Sequence, residues 1–201
     1  MKKLAAAMLA ALIFSIFTSE VGSFGNDLNE IRDDVLRLHI IANSDSEYDQ
    51  NLKLMVRDAV LRECSEYFTG AESSEDMAQT ALEKSDDICS VARDVLRRNG
   101  ADYDVNCEIV NMYFDTKVYE NVTMPSGNYD AVRITLGNAS GRNWWCVMYP
   151  PLCIPAASEA PELSEYFSAE GENILTEPQK YEVKFKCVEV FEKLSQLLTE
   201  K

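Results

Sequence analysis

Histidine, basic charge and long apolar runs are all scarce in this chain, and each scarcity excludes a class of chemistry. His39 is the sole imidazole among 201 residues. That leaves no multi-histidine metal site, and a nucleophile that needs an imidazole base has one candidate partner. The six cysteines include no C-x-x-C pair, so zinc-ribbon spacing is missing as well. No G-x-S-x-G elbow and no glycine-rich loop ahead of a helix is present. Nothing in the pattern calls for a cofactor or a bound metal. Lysine and arginine number 19 against 34 acidic residues, a net charge of −15. Counterion release on nucleic acid needs a basic surface, so nucleic-acid binding is excluded, and broad adhesion to anionic lipid is disfavoured.

What is present begins with a leader pattern. Lys2-Lys3 precede an uncharged apolar run from Leu4 to Phe17, followed by small and polar residues up to Ser23. This is the n-region and h-region of a secretory signal peptide, residues 1–23. The run falls short of the roughly 20 residues a confident span needs, and an uncleaved anchor is the alternative. Export places the cysteines where thiols pair. Cys146 and Cys153 flank Met148-Tyr149-Pro150-Pro151, a turn that brings them within bridging range. Closing that loop stabilises the fold by about 2–3 kcal/mol on the chain-entropy model. Cys64, Cys89, Cys107 and Cys187 sit in apolar-periodic segments, and their pairing is left open.

Periodicity predicts an α+β domain over residues 35–198, after a polar lead-in at 24–34. Val35–Ala42 alternates as a strand, with Leu36, Leu38, Ile40 and Ala42 on the more strictly apolar face. Ser46 with Asp49 reads as a variant capping box, opening a helix with Leu52, Met55, Val56, Ala59 and Val60 inward. Asp49, Lys53 and Arg57, spaced by four, run up its exposed side. A second helix spans Glu75–Arg98 and ends at Gly100. Three runs follow, Tyr103–Phe114, Tyr129–Leu136 and Asn143–Tyr149, whose short turns predict an antiparallel meander. The two helices pack on that sheet. Residues 156–179 read as a mobile excursion, and Tyr181–Leu198 as a strand or turn passing into a C-terminal helix.

Three site chemistries compete at this level. The oxygen-rich cluster Asn43-Ser44-Asp45-Ser46 with Asp49 lacks the calcium-loop glycine, and helix capping accounts for it. A hydrolase reading pairs Cys146 or a carboxylate with His39. A recognition reading uses Trp144 and Trp145, which a strand sends to opposite faces.

Four blocks in order decide between them. Arg37-Leu38-His39-Ile40-Ile41-Ala42-Asn43-Ser44-Asp45 with Asp49-Gln50, Lys53 and Val56-Arg57-Asp58-Ala59-Val60 resembles the signature of the stage II sporulation protein R family. Pro125-Ser126-Gly127 with Tyr129, Arg133 and Gly137 is similar to its second block. Asn143-Trp144-Trp145-Cys146-Val147 with Pro150-Pro151-Leu152-Cys153 looks like the third, and Tyr181-Glu182-Val183-Lys184-Phe185-Lys186 like the last. Glu120 stands where the family pattern has glycine, Ser126 where it has alanine, and Asn138-Ala139-Ser140 loosens a glycine-rich turn.

The resemblance implies a signalling protein of endospore-forming bacteria rather than an enzyme. Such a protein is secreted into the space between forespore and mother cell. There it activates a membrane-embedded aspartic protease, which cleaves the pro-sequence of sporulation sigma factor E. The expected partner contacts are Asn43, Asp45, Asp49, Lys53 and Arg57, with Trp144 or Trp145. Membrane contact is expected only through residues 1–23 or through the partner.

Overall fold

Capping residues set most of the element boundaries. The computed structural model describes residues 2–68, 70–119, 121–152, 162–188 and 190. In chain order these form α1 (Lys2–Asp33), β1 (Leu36–Ile41), α2 (Glu47–Glu63), α3 (Ser65–Phe68), α4 (Ser74–Glu83), α5 (Ser85–Arg98) and β2 (Val105–Phe114). Then come β3 (Lys117–Tyr119), β4 (Val122–Met124), β5 (Gly127–Leu136), β6 (Asn143–Tyr149) and α6 (Ala169–Thr176). Ser46 caps α2 as expected: its backbone is extended, and its hydroxyl accepts the Asp49 N–H at 3.1 Å. Gly100 ends α5 with φ +82°, the left-handed position that glycine takes without penalty.

The helix expected over Glu75–Arg98 is two helices. Lys84 is both the C-cap of α4 and the N-cap of α5, with φ −99° and ψ 11°. Ser85, Asp86 and Asp87 follow it, residue types that favour the first turn of a new helix over an interior position. Ser73 caps α4 in turn, accepting the Asp76 N–H at 3.0 Å.

Strands and helices together make an α+β fold, and the described residues fall into two compact units. The larger comprises residues 32–115 and 126–166. Its sheet runs β2-β5-β1-β6, with every neighbouring pair antiparallel except β1 with β5. This corrects the expected meander, because β1 enters between β5 and β6. The reason lies in β1 itself. Each residue from Leu36 to Ile40 is buried, Arg37 and His39 included. A strand covered on both faces belongs inside a sheet with a neighbour on each side.

One sheet face carries Leu36, Leu38 and Ile40 of β1 with Val132, Ile134 and Leu136 of β5. Leu52, Val56 and Val60 of α2, Met77 and Ala81 of α4, and Ile88, Ala92 and Leu96 of α5 complete this core. The opposite face holds an aromatic layer around Arg37. Its guanidinium stands 4.5 Å from the Phe114 ring centre and 5.1 Å from that of Tyr129, while Nε donates to the Cys146 carbonyl at 3.1 Å.

The smaller unit comprises residues 1–31, 116–125 and 167–201. Phe24, Leu28 and Ile31 are buried at i, i+4, i+7 spacing, so the expected polar lead-in at 24–34 is the end of α1 with an apolar stripe. Phe24 stacks on Tyr181 at 5.6 Å and meets Phe185 edge-on at 5.2 Å. β3 and β4 pair as a short hairpin. The expected excursion at 156–179 holds α6, whose N-cap Ser168 accepts the Gly171 N–H at 3.2 Å. Residues 182–188 are helical, while the rest of the expected C-terminal helix beyond 190 lies outside the described residues, as do 153–161. No helix among the described residues is long and apolar enough to cross a membrane.

Candidate functional site

The sequence-predicted residues gather at two places in the larger unit. The first is the junction where β1 hands over to α2 and meets the β5–β6 turn. Asn43 binds both sides of it. Its Oδ1 accepts the Asn138 N–H at 2.9 Å, its Nδ2 donates to Asp49 at 2.9 Å, and its carbonyl accepts the Ser140 hydroxyl at 2.6 Å. Ser44 Oγ donates to the same Asp49 oxygen at 2.5 Å. The turn approaches so closely that a Cβ on Gly141 would lie 2.5 Å from the Ser44 carbonyl carbon. Gly137 has φ +56°, and its missing Cβ leaves space for the Asn43 amide.

This geometry corrects the expected exposed stripe. Asp49 and Lys53 are each 4% exposed, so neither points into solvent. Burial pushes the Asp49 carboxyl up, but hydrogen bonds from Ser44, Asn43, Tyr103 and Ser46 outweigh it and hold the group below its ordinary value. Lys53 donates to Gln50 Oε1 at 2.7 Å and to the Arg142 carbonyl at 2.8 Å. Burial, reinforced by the Arg142 charge, lowers its pKa. Four-residue spacing thus joins neither charge to the other. Each is turned inward to the β5–β6 turn or to the strand end.

Asp45 and Arg57 do reach the surface. Asp45 accepts the Arg142 N–H at 2.7 Å, and its carboxylate lies 3.5 Å from the Arg142 guanidinium, both side chains largely exposed. Arg57 pairs with Asp58 and lays its guanidinium 4.3 Å above the Trp144 ring. Trp144 is half-buried on the helix-covered face. Its half-buried neighbour Trp145 faces the aromatic layer, 5.3 Å from Phe114 and 5.9 Å from His39.

His39 forms the second place. Its Nε2 meets Asn143 Oδ1 at 2.9 Å, and its ring also stands edge-on to Phe114. Burial pushes its pKa down, against the pull of the Asn143 hydrogen bond, and the Arg133 charge lowers it further. In register, His39 pairs with Trp145 while Leu38 pairs with Cys146. Cys146 joins the helix-covered core, so thiol and imidazole project from opposite faces of the sheet. The expected alternative of a Cys146–His39 dyad is therefore not formed, because a base must lie within hydrogen-bond reach of its nucleophile. Cys153 falls outside the described residues, and the expected bridge to Cys146 with it. Cys64, Cys89, Cys107 and Cys187 carry free thiols. Among the described residues no group of three or more His, Cys, Asp or Glu is arranged to hold a metal ion.

Sequence reasoning misses the turn half of the junction: Gly137-Asn138-Ala139-Ser140-Gly141 reads only as a turn between strands, and Arg142 falls in no expected element. The signal was their composition, a glycine on each side of a donor-rich segment, which suits close backbone approach. Arg142 is the added member of the surface group, beside Asp45.

A family model described as Stage II sporulation protein R matches residues 32–159. A protein named Stage II sporulation protein R from Bacillus subtilis (strain 168) is 37% identical over 147 residues, which is 73% of this chain. The match spans 66% of that relative's own length, just under two thirds. No solved structure matches the chain.

Proposed function

This chain belongs to the stage II sporulation protein R family, and from that premise we propose that it is an exported activator of a membrane-embedded aspartic protease. In this reading the protease cleaves the pro-sequence of sporulation sigma factor E. The chain acts from the space between forespore and mother cell, by binding the active state of the protease more tightly than the inactive one. The observation that carries the reading is the span of the family match. It starts at Arg32, the first residue of the larger unit, and includes all four strands of its sheet and the polar junction. The separation of Cys146 from His39 supports a ligand over a hydrolase.

The contact surface divides the expected residues by role. Asp45, Arg57 and Trp144, joined by Arg142, present charge and half-buried aromatic surface to a partner. Asn43, Asp49 and Lys53 shape that surface from beneath, and Trp145 belongs to the aromatic layer. The test is co-expression of the full chain, the candidate protease and the sigma-factor precursor in a non-sporulating host. Cleavage is expected only with all three, and Asp45→Arg is expected to reduce it at unchanged chain levels. Absence of cleavage with all three proteins folded would overturn the activator reading. Retained activation by folded His39→Ala and Cys146→Ser chains would remove the hydrolase alternative.

A further inference from the structure

We propose that Cys89 and Cys107 join in a disulfide when this chain folds in the presence of a disulfide oxidant, tying α5 to β2. Cys89 and Cys107 stand near enough in the core for each thiol to act on the other's ionisation. Cys89 Sγ lies 3.7 Å from the Val105 carbonyl, two residues before Cys107 on the same strand. The sulfur from α5 is thus lodged against the β2 backbone at Val105. Val105 and Cys107 both face the helix-covered core, where Cys89 is buried. A third thiol, Cys64 at the C-cap of α2, stands close enough to Cys107 to act on its charge. Three cysteines from different elements therefore meet, and the pair assigned to bridge is the one in which one sulfur lies against the strand that carries the other.

The oxidant is a low-molecular-weight disulfide or the disulfide of a thiol–disulfide oxidoreductase. One cysteine thiolate attacks it, forming a mixed disulfide and releasing one oxidant thiol. The second cysteine then attacks the mixed disulfide, forming the intramolecular S–S bond and releasing the second oxidant thiol. Both protein thiols lose their protons, and the oxidant is reduced to two thiols. Timing follows from burial. Desolvation pushes the Cys107 thiol up to about 12 and the Cys64 thiol up to about 11, so the folded core holds almost no thiolate. Exchange therefore takes place before the core closes, and the bond once formed is shielded from reduction.

The test refolds the reduced, denatured full chain in a mixture of reduced and oxidised glutathione. Free thiols are then blocked with an alkylating reagent under denaturing conditions, and peptides are mapped without reduction. The majority of chains are expected to yield a cross-linked peptide pair containing Cys89 and Cys107, with Cys64 and Cys187 alkylated. Soluble chain exported to a bacterial periplasm is mapped in the same way, so poor refolding in vitro does not decide the matter. Cys64→Ser is expected to leave the 89–107 pair in place. Alkylation of both Cys89 and Cys107 in folded chains, or predominant linkage of either to Cys64, would overturn the assignment. Mapping reads connectivity and not protease activation, so its outcome is separate from that of the proposed function.

Discussion

Replacing Asp49 with alanine removes the acceptor on which the strand–helix junction converges. The wild-type carboxylate takes a hydrogen bond from Asn43 Nδ2 at 2.9 Å and another from Ser44 Oγ at 2.5 Å. Alanine keeps the backbone N–H that Ser46 caps, so the helix start survives and the two charged acceptances go. Hydrogen bonds to a charged group contribute about 1.5–3 kcal/mol each, and Asn43 and Ser44 are half-exposed, so water replaces part of what is lost. The low end for each gives a loss of about 3 kcal/mol. Urea unfolding followed by tryptophan fluorescence measures it, since Trp144 and Trp145 are the two tryptophans of the chain and both lie on β6. The sign with pH is fixed by the depressed carboxyl. Below its ordinary pKa of 3.8 the unfolded chain takes up the proton before the folded one does. The wild-type advantage is thus complete above about pH 5 and is lost as pH falls through 3.8 and then through the folded pKa. A loss under about 1 kcal/mol, or a gap as wide near pH 3 as near pH 6, would refute the assignment of the junction to this carboxylate.

Gly141→Ala drives a methyl group into the Ser44 carbonyl and is expected to cost about 2 kcal/mol. Gly25→Ala, with nothing within 4 Å and a helical position, is expected to be neutral or slightly stabilising, and paired thermal melts compare the two. His39 is expected to titrate below 6.5, read from its imidazole proton shifts; a value at or above 6.5 would contradict its burial. Its stability contribution is complete above pH 6.5 and declines as pH falls toward the folded pKa. Peptide mapping of unreduced chain is expected to find Cys146 linked to Cys153, and two alkylated thiols at those positions would end that pairing.

Local chemistry made much of this molecule legible. The Ser46 cap, the Gly100 stop and the alternation of β1, β2, β5 and β6 follow from rules that act within a few residues. Partner choice does not. Nothing within Leu36–Ile41 tells whether β6 or β5 lies beside it, although apolar Val35 and Ile41 on the same face as Arg37 and His39 are a cue to burial on both faces. The same limit hid the inward turn of Asp49 and Lys53. Spacing by four places them on one helix face, but only the approach of the β5–β6 turn decides that this face is covered. The break at Lys84 was missed because Met77, Ala81, Ile88 and Ala92 keep helical spacing across it. Of the expected contact residues, Asp45 is exposed and Arg57 partly so, as their polarity alone suggests, whereas the assignment of Trp144 and Trp145 to opposite faces comes from strand alternation.

The central place of β1 also sets a timetable for folding. It is the first strand made, yet Leu36 pairs with Asp130 on one side and Tyr149 on the other. While the chain is being synthesised, β1 exists for roughly ninety residues with neither neighbour available, and so waits as an unpaired apolar segment. The helices α2, α4 and α5, which follow it directly, have time to form and shield its core face first. The aromatic layer around Arg37 has no such early cover, because Phe114, Tyr129 and Trp145 all arrive later. A chain truncated before β6 is therefore not a smaller version of this protein but one whose first strand lacks half its pairing.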